Sequence, residues 1–221
     1  MADIVFFGTG QSAEVGRVYL ESYSEHRVVG YTVDPKFVTS ETFQGLPLAP
    51  WDRLEEFFPP SQVELLGPIS YWRMNEFRRD RFLEGKARHY RFASFVHPES
   101  YINTTDIGEH CFILESNIIE PFAKIGNNVV IWGGSHIGHH AVIEDDCFLS
   151  ARVGVSARAR VGRRSFLAIK VIVAPGVTVG EASMLGLNVA VQTDVAAESV
   201  ITSDQQNRIA KVPSSRLRRL V

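Results

Sequence analysis

The chain has 221 residues, 45% of them hydrophobic and 22% charged, with 17 Gly and 10 Pro; this excludes a disordered tail, a collagen-like fibre and a membrane-spanning bundle. Its 23 basic and 25 acidic residues leave a net charge of −2, so no general attraction to nucleic acid or to an anionic membrane is available. Only Cys111 and Cys147 are present, too few for a disulfide framework or a Cys-rich metal motif.

The run from Met1 to Gly8 has no basic residue ahead of its short apolar stretch, unlike a secretory signal, and no apolar run reaches membrane-span length. The expected compartment is the cytoplasm, with no membrane insertion. Ile4 to Phe7 reads as a buried strand, Gly8-Thr9-Gly10-Gln11-Ser12-Ala13 as a turn, Ser12 to about Tyr23 as a helix and Arg27 to Val33 as a second strand. Two glycines with Ala in the third place match a phosphate-cradling β-turn-α, and equally a plain tight turn. Asp34 ends the second strand, where a carboxylate can bind a ribose hydroxyl. Val63 to Leu66 suits a third strand, and Tyr71 to Glu84 a helix with Met74, Phe77 and Phe82 inward. That makes one βαβαβ-like half, and the missing second half disfavours nicotinamide redox chemistry. Pro98 breaks regular structure after Phe95-Val96-His97.

From Ile107 to Val191 every sixth residue is aliphatic, and the position four after each, from Cys111 to Val195, is small or no larger than Val or Asn. A helix needs period 3.6 and a strand period 2, so a sustained period of six predicts a hexapeptide β-helix. Three hexads close one triangular coil, so equivalent positions in successive coils stack at about 4.8 Å. Cys111 and Cys147 are then two coils apart, ~10 Å, too far for a disulfide, and read as small interior residues. Gly108, Gly126, Gly162 and Gly180 share a corner column that Glu144 interrupts; glycine there is expected to relieve a tight turn. Flat outer faces predict association, and a trimer suits a triangular prism. After Val195 the pattern fades, and Arg208 to Val221 reads as a polar tail.

Three histidines crowd Gly134 to His140, and His139 and His140, second and third after Ile137, should point outward at a corner. An imidazole there can act as a general base near neutral pH. Zinc is the rival reading; Glu144, Asp145 and Asp146 are not spaced to complete a tetrahedron with these histidines, so no metal is expected.

On these residues the whole chain resembles the bacterial hexapeptide-repeat sugar acetyltransferases, those acting on nucleotide-linked amino sugars together with the sialic acid O-acetyltransferase-like proteins. The resembling segments are Val5 to Val15, Val28 to Asp34, Gln44 to Pro47, Phe95 to Pro98, Ile125 to His140 and Ser165 to Asp194. The resemblance implies an α/β Rossmann-like nucleotide-sugar domain over 1–96, a left-handed parallel β-helix binding acetyl-CoA over 97–205, and a tail over 206–221. It implies a homotrimer with active sites at subunit interfaces, in surface polysaccharide or glycan biosynthesis. It places the catalytic histidine on His139 with His140 beside it, and the oxyanion-binding N–H on Ala157, one coil further along the chain. The coenzyme would pass Ala168 and Ile169 and then Gly186 and Leu187, with Lys170 stacked over Arg152 as a phosphate contact or a solvated charge. Gly8, Gly10, Gln11, Ser12 and Asp34 would hold the sugar nucleotide. Three places depart from the family pattern: His140 replaces a frequent acidic residue, Gly10-Gln11-Ser12 replaces Gly-Gly-His, and Pro213-Ser214-Ser215 replaces Pro-Ala-Lys. The expected reaction is N-acetylation of an amino deoxysugar; alternatives are sugar O-acetylation and an inactive β-helix scaffold.

Overall fold

The computed structural model describes residues 2–203; the expected polar tail and Pro213-Ser214-Ser215 lie outside them. The N-terminal unit runs β1 (Asp3–Phe7), α1 (Gln11–Tyr23), β2 (Arg27–Val33), β3 (Thr42–Phe43), β4 (Leu46–Pro50), α2 (Leu54–Phe57), β5 (Glu64–Leu66), α3 (Glu76–Ala87) and β6 (Arg91–Phe92). The sheet order is β3-β4-β2-β1-β5-β6, parallel throughout except for the β3–β4 hairpin. The expected strands and first helix form. β4 escapes sequence reading because Pro47 and Pro50 argue against a strand. The helix expected from Tyr71 to Glu84 begins only at Glu76, because Arg73, Met74 and Asn75 all take left-handed backbone, φ 54, 51 and 64°, which cannot enter an α-helix.

From Phe95 onward two-residue strands coil into a left-handed parallel β-helix with three faces. The first face stacks seven strands from Phe95–Val96 to Val200–Ile201, the second six from Tyr101–Ile102 to Ala190–Val191, and the third four from Lys124–Ile125 to Thr178–Val179. Registers such as Ile137↔Val155 and Leu149↔Leu167 each step by one coil of three hexads. The aliphatic residue of each hexad points inward, and with Cys111, Ala123, Val129, Ala141 and Cys147 it forms one continuous core. Burial pushes both thiols up to about 12, which leaves them inert. The repeat outlasts its sequence signal: Val200–Ile201 still pairs with Met184–Leu185.

One expectation about the glycine column is corrected. Gly108, Gly126 and Gly162 do not relieve a turn by left-handed backbone; that conformation belongs to the residue two further on, as at His110, Asn128, Asp146 and Arg164. A Cβ at Gly108 would instead sit 2.7 Å from the Gly126 backbone, and one at Gly162 2.6 Å from the Glu181 amide nitrogen. Glycine is required there by the close approach of the next coil.

The N-terminal unit rests on the first face. Phe112, Val130, Phe148 and Phe166 project outward from successive strands of that face and are buried with Ala13, Leu20 and Tyr31. Tyr71 lies against Phe166 at 4.6 Å and Tyr19 against Phe95 at 6.2 Å. A polar lock sits inside this apolar contact: Arg78 of α3, 1% exposed, donates to the carbonyls of Ser70, Asn128, Asp146 and Cys147 and to the amide oxygens of Asn75 and Asn128.

Candidate active site

His139 and His140 occupy the corner between the second and third faces, and both are exposed, as their place in the hexad requires. The left-handed corner conformation of His140, φ 59°, turns its ring back so that its Nδ1 meets His139 Nδ1 at 3.1 Å. Two ring nitrogens at that distance hold one hydrogen between them. Phe122, in the coil below, packs against the His140 ring at 4.8 Å.

The carboxylate of Glu120 was not among the sequence candidates. Its Oε2 accepts the His139 backbone N–H at 2.7 Å and its Oε1 meets His136 Nε2 at 2.9 Å. The hydrogen bond from His136, then that from the His139 amide, hold the Glu120 carboxyl below the ordinary carboxylate range. The signal was present as spacing: Glu120 precedes His139 by one coil and one further position.

Ala157 lies one coil above His139, as its spacing requires, and Arg158 N–H donates to the His139 carbonyl at 3.0 Å. The N–H groups of Asn127, His139 and Arg163, at the equivalent place in their own hexads, each donate to a carboxylate from a neighbouring coil. Among the described residues no such carboxylate meets the Ala157 N–H. Gly138 keeps the approach narrow, since a Cβ there would sit 2.6 Å from the Ala157 nitrogen.

Ala168, Ile169, Lys170, Gly186 and Leu187 line a different corner, between the first and second faces. Ile169 and Leu187 stack with Ile169 accepting from Asn188 N–H, and they are 40% and 60% exposed. Lys170 and Arg152 both take the left-handed corner conformation, one coil apart. Within one chain this corner is separated from His139 by the width of the second face, about six residues of extended chain or roughly 15–20 Å. One protomer therefore does not bring the two sets of residues together.

At the carboxyl end of β1, Gly8 has φ 125° and its N–H donates to Thr32. Gly10 caps α1 without a side-chain hydrogen bond, Gln11 and Ser12 are exposed in its first turn, and no atom would meet a Cβ at Gly10 within 4 Å. The helix N-terminus is thus open to an anion. A close helix–strand contact is made by Gly16, where a Cβ would lie 2.4 Å from the Phe6 ring. Asp34 is engaged: Arg81 Nε and Nη2 both donate to its Oδ1, at 3.1 and 2.7 Å. Among the described residues no group of three metal-ligating side chains converges, and no helix is long and apolar enough to cross a membrane.

No curated protein matches the chain in sequence. The family model described as bacterial transferase hexapeptide (six repeats) matches residues 104–139 and 122–157. Among solved structures, the acetyltransferase domain of PglB from Neisseria gonorrhoeae is similar at 16% identity, covering 95% of this chain and 100% of that one, with a TM-score of 0.79. A variant of perosamine N-acetyltransferase from Caulobacter crescentus, in complex with CoA and GDP-perosamine, is similar at 19% identity, covering 90% and 93%, with a TM-score of 0.77. WeeI from Acinetobacter baumannii is similar at 13% identity, covering 92% and 98%, with a TM-score of 0.60. Residues 104–157 therefore carry the hexapeptide repeat of bacterial transferases, and the chain as a whole has the fold of these solved proteins, a small α/β unit on a left-handed β-helix.

Proposed function

We propose that the protein is an acetyl-CoA-dependent N-acetyltransferase acting on the amino group of a nucleotide-linked amino deoxysugar. The observation that carries this reading is the corner itself. An exposed imidazole, with its Nδ1 tied to His140 and its backbone held by Glu120, stands one coil below an N–H that no carboxylate of the described residues occupies. In this reading His139 donates from Nδ1 to His140 and presents the Nε2 lone pair outward. The neutral amine attacks the thioester carbonyl as Nε2 takes its proton, and the oxyanion forms against the Ala157 N–H. Collapse breaks the carbon–sulfur bond, and the imidazolium returns the proton to the departing thiolate.

The separation of the two corners supports a homotrimer in which His139 of one protomer faces Ala168, Ile169, Lys170, Gly186 and Leu187 of its neighbour along the coenzyme. The open N-terminus of α1 supports Gly8, Gly10, Gln11 and Ser12 as the diphosphate cradle, with Asp34 Oδ2 toward the ribose. The solved relatives in fold support the substrate class, since the Caulobacter protein was solved with a sugar nucleotide and CoA. The domain division at 96–97, a cytoplasmic location and a role in surface glycan assembly belong to the same reading.

The test is incubation with acetyl-CoA and a panel of uridine, thymidine and guanosine diphosphate amino sugars, read by mass spectrometry. The expected result is one sugar nucleotide gaining an acetyl group, with turnover lowered about 10²- to 10⁴-fold in His139→Asn at unchanged thermal stability. Acetyl transfer that survives this substitution overturns the assignment of the base, and coenzyme binding without transfer to any amine overturns the N-acetyl reading.

A further inference from the structure

In an open parallel sheet, ligands bind beyond the carboxyl ends of the strands where the order of connection reverses. Here that point lies between β1 and β5, because the chain leaves β1 towards β2 on one side and returns to β5 on the other. Two loops border it: residues 8–10 after β1, and residues 67–75 after β5.

The second loop is held in an unfavourable shape at several points. Its three consecutive left-handed residues, Arg73, Met74 and Asn75, each cost energy that the surroundings must offset. Asn75 is buried and donates to the carbonyls of Arg164 and Ser165 in the coil. Arg78 holds the Ser70 carbonyl at 2.6 Å, and the Tyr71 ring lies tilted against Phe166. What this clamped loop presents is Trp72, 58% exposed. The indole meets Phe77 edge-on at 5.5 Å, and Phe77 meets Phe7 at 5.8 Å. Phe7 is the last residue of β1, so two ring contacts tie the indole to the glycine turn. The Arg81 that grips Asp34 lies over the same Phe77 ring at 4.9 Å.

We infer that Trp72 is the stacking platform for the nucleobase of the bound sugar nucleotide. The inference rests on the nucleotide-sugar reading above and adds to it a binding residue outside the glycine turn. A preset indole beside a diphosphate cradle supplies stacking on any base face, which is sequence-tolerant and worth a measurable fraction of affinity.

The test is titration of the full-length protein with GDP, with UDP and with inorganic pyrophosphate, in parallel with coenzyme A. Trp51 is buried and Trp132 half-buried, so quenching of tryptophan emission by GDP reports chiefly on Trp72. Trp72→Ala is expected to weaken GDP and UDP between about fivefold and 100-fold, with pyrophosphate and coenzyme A affinities unchanged and Trp72→Phe restoring most of the loss. GDP and UDP affinities within twofold of wild type in Trp72→Ala overturn the platform while leaving the nucleotide-sugar reading intact. A wild-type protein that binds coenzyme A but neither nucleotide overturns that reading, and the platform with it.

Discussion

Replacing Arg78 by Ala removes a side chain that joins α3, the loop after β5 and three carbonyls of the coil. Burial lowers the guanidinium pKa to about 10, so it remains charged at neutral pH and its donors are fully engaged. The carbonyls of Ser70, Asn128 and Asp146 take their donor from it. Each acceptor left dry costs about 1–3 kcal/mol, so the lower bound is about 3 kcal/mol. Relief of the guanidinium desolvation offsets part of the upper range, which points to a net loss of about 3–5 kcal/mol, the span typical for breaking a buried charged contact. Against a typical total of about 5–15 kcal/mol, that is a large fraction. The assay is equilibrium unfolding in urea followed by circular dichroism, with Arg78→Lys as a second variant. Lysine has a single point of donation for this fork of acceptors, so it should recover less than half of the loss. A measured destabilisation under about 1 kcal/mol for Arg78→Ala would refute the reasoning, since the carbonyls must then find other donors.

Two further substitutions probe the site and the junction. Glu120→Gln keeps the shape of the side chain but weakens its hold on His136 and the His139 amide; turnover should fall about tenfold, with coenzyme affinity unchanged in steady-state kinetics. His110 is buried at the junction, stacked on Phe82 at 5.3 Å, with its Nε2 accepting the Gly67 N–H at 3.0 Å. Burial, then the Arg78 charge, lower its pKa to about 3, so between pH 6.5 and about 3 the unfolded chain binds the proton that the folded chain refuses. Stability should fall by about 1.4 kcal/mol per pH unit across that window. In His110→Phe, urea midpoints measured from pH 7 to pH 4 should lose this component of the slope, at a cost near neutrality of about 1–2 kcal/mol for the orphaned Gly67 N–H; Phe122 already places a phenylalanine on left-handed backbone at a corner.

The coil was legible because its core repeats: one aliphatic residue per hexad and one small residue four places on determine inward direction, stacking register and the exposure of His139 together. Ala157 and His139 could be aligned by counting three hexads. Glu120 was equally countable, but a carboxylate one coil upstream of a histidine has no local pattern to mark it. The first face shows the same limit. Phe112, Val130, Phe148 and Phe166 form an outward apolar ladder, visible at the place before each inward aliphatic, yet only the fold shows that the N-terminal unit covers it. In that unit, β4 carries prolines and the start of α3 yields to three left-handed residues held from outside by Asn75 and Arg78. Contacts made far along the chain set both, and period or propensity does not encode them. The engagement of Asp34 by Arg81 is of the same kind.

Glu120, His139 and Ala157 come from three successive coils, so the proposed reacting centre would be assembled along the axis of the prism rather than around one loop. Axial position on such a scaffold has a unit: one coil, about 4.8 Å. The loop carrying Trp72 is pinned to the same scaffold at Arg164 and Ser165, so the axial offset between Trp72, the proposed base platform, and the His139 corner is set in whole steps. Adding or removing a whole coil of three hexads between the two anchor points shifts that offset by one step and keeps the imidazole on its corner, whereas any other insertion there rotates it off.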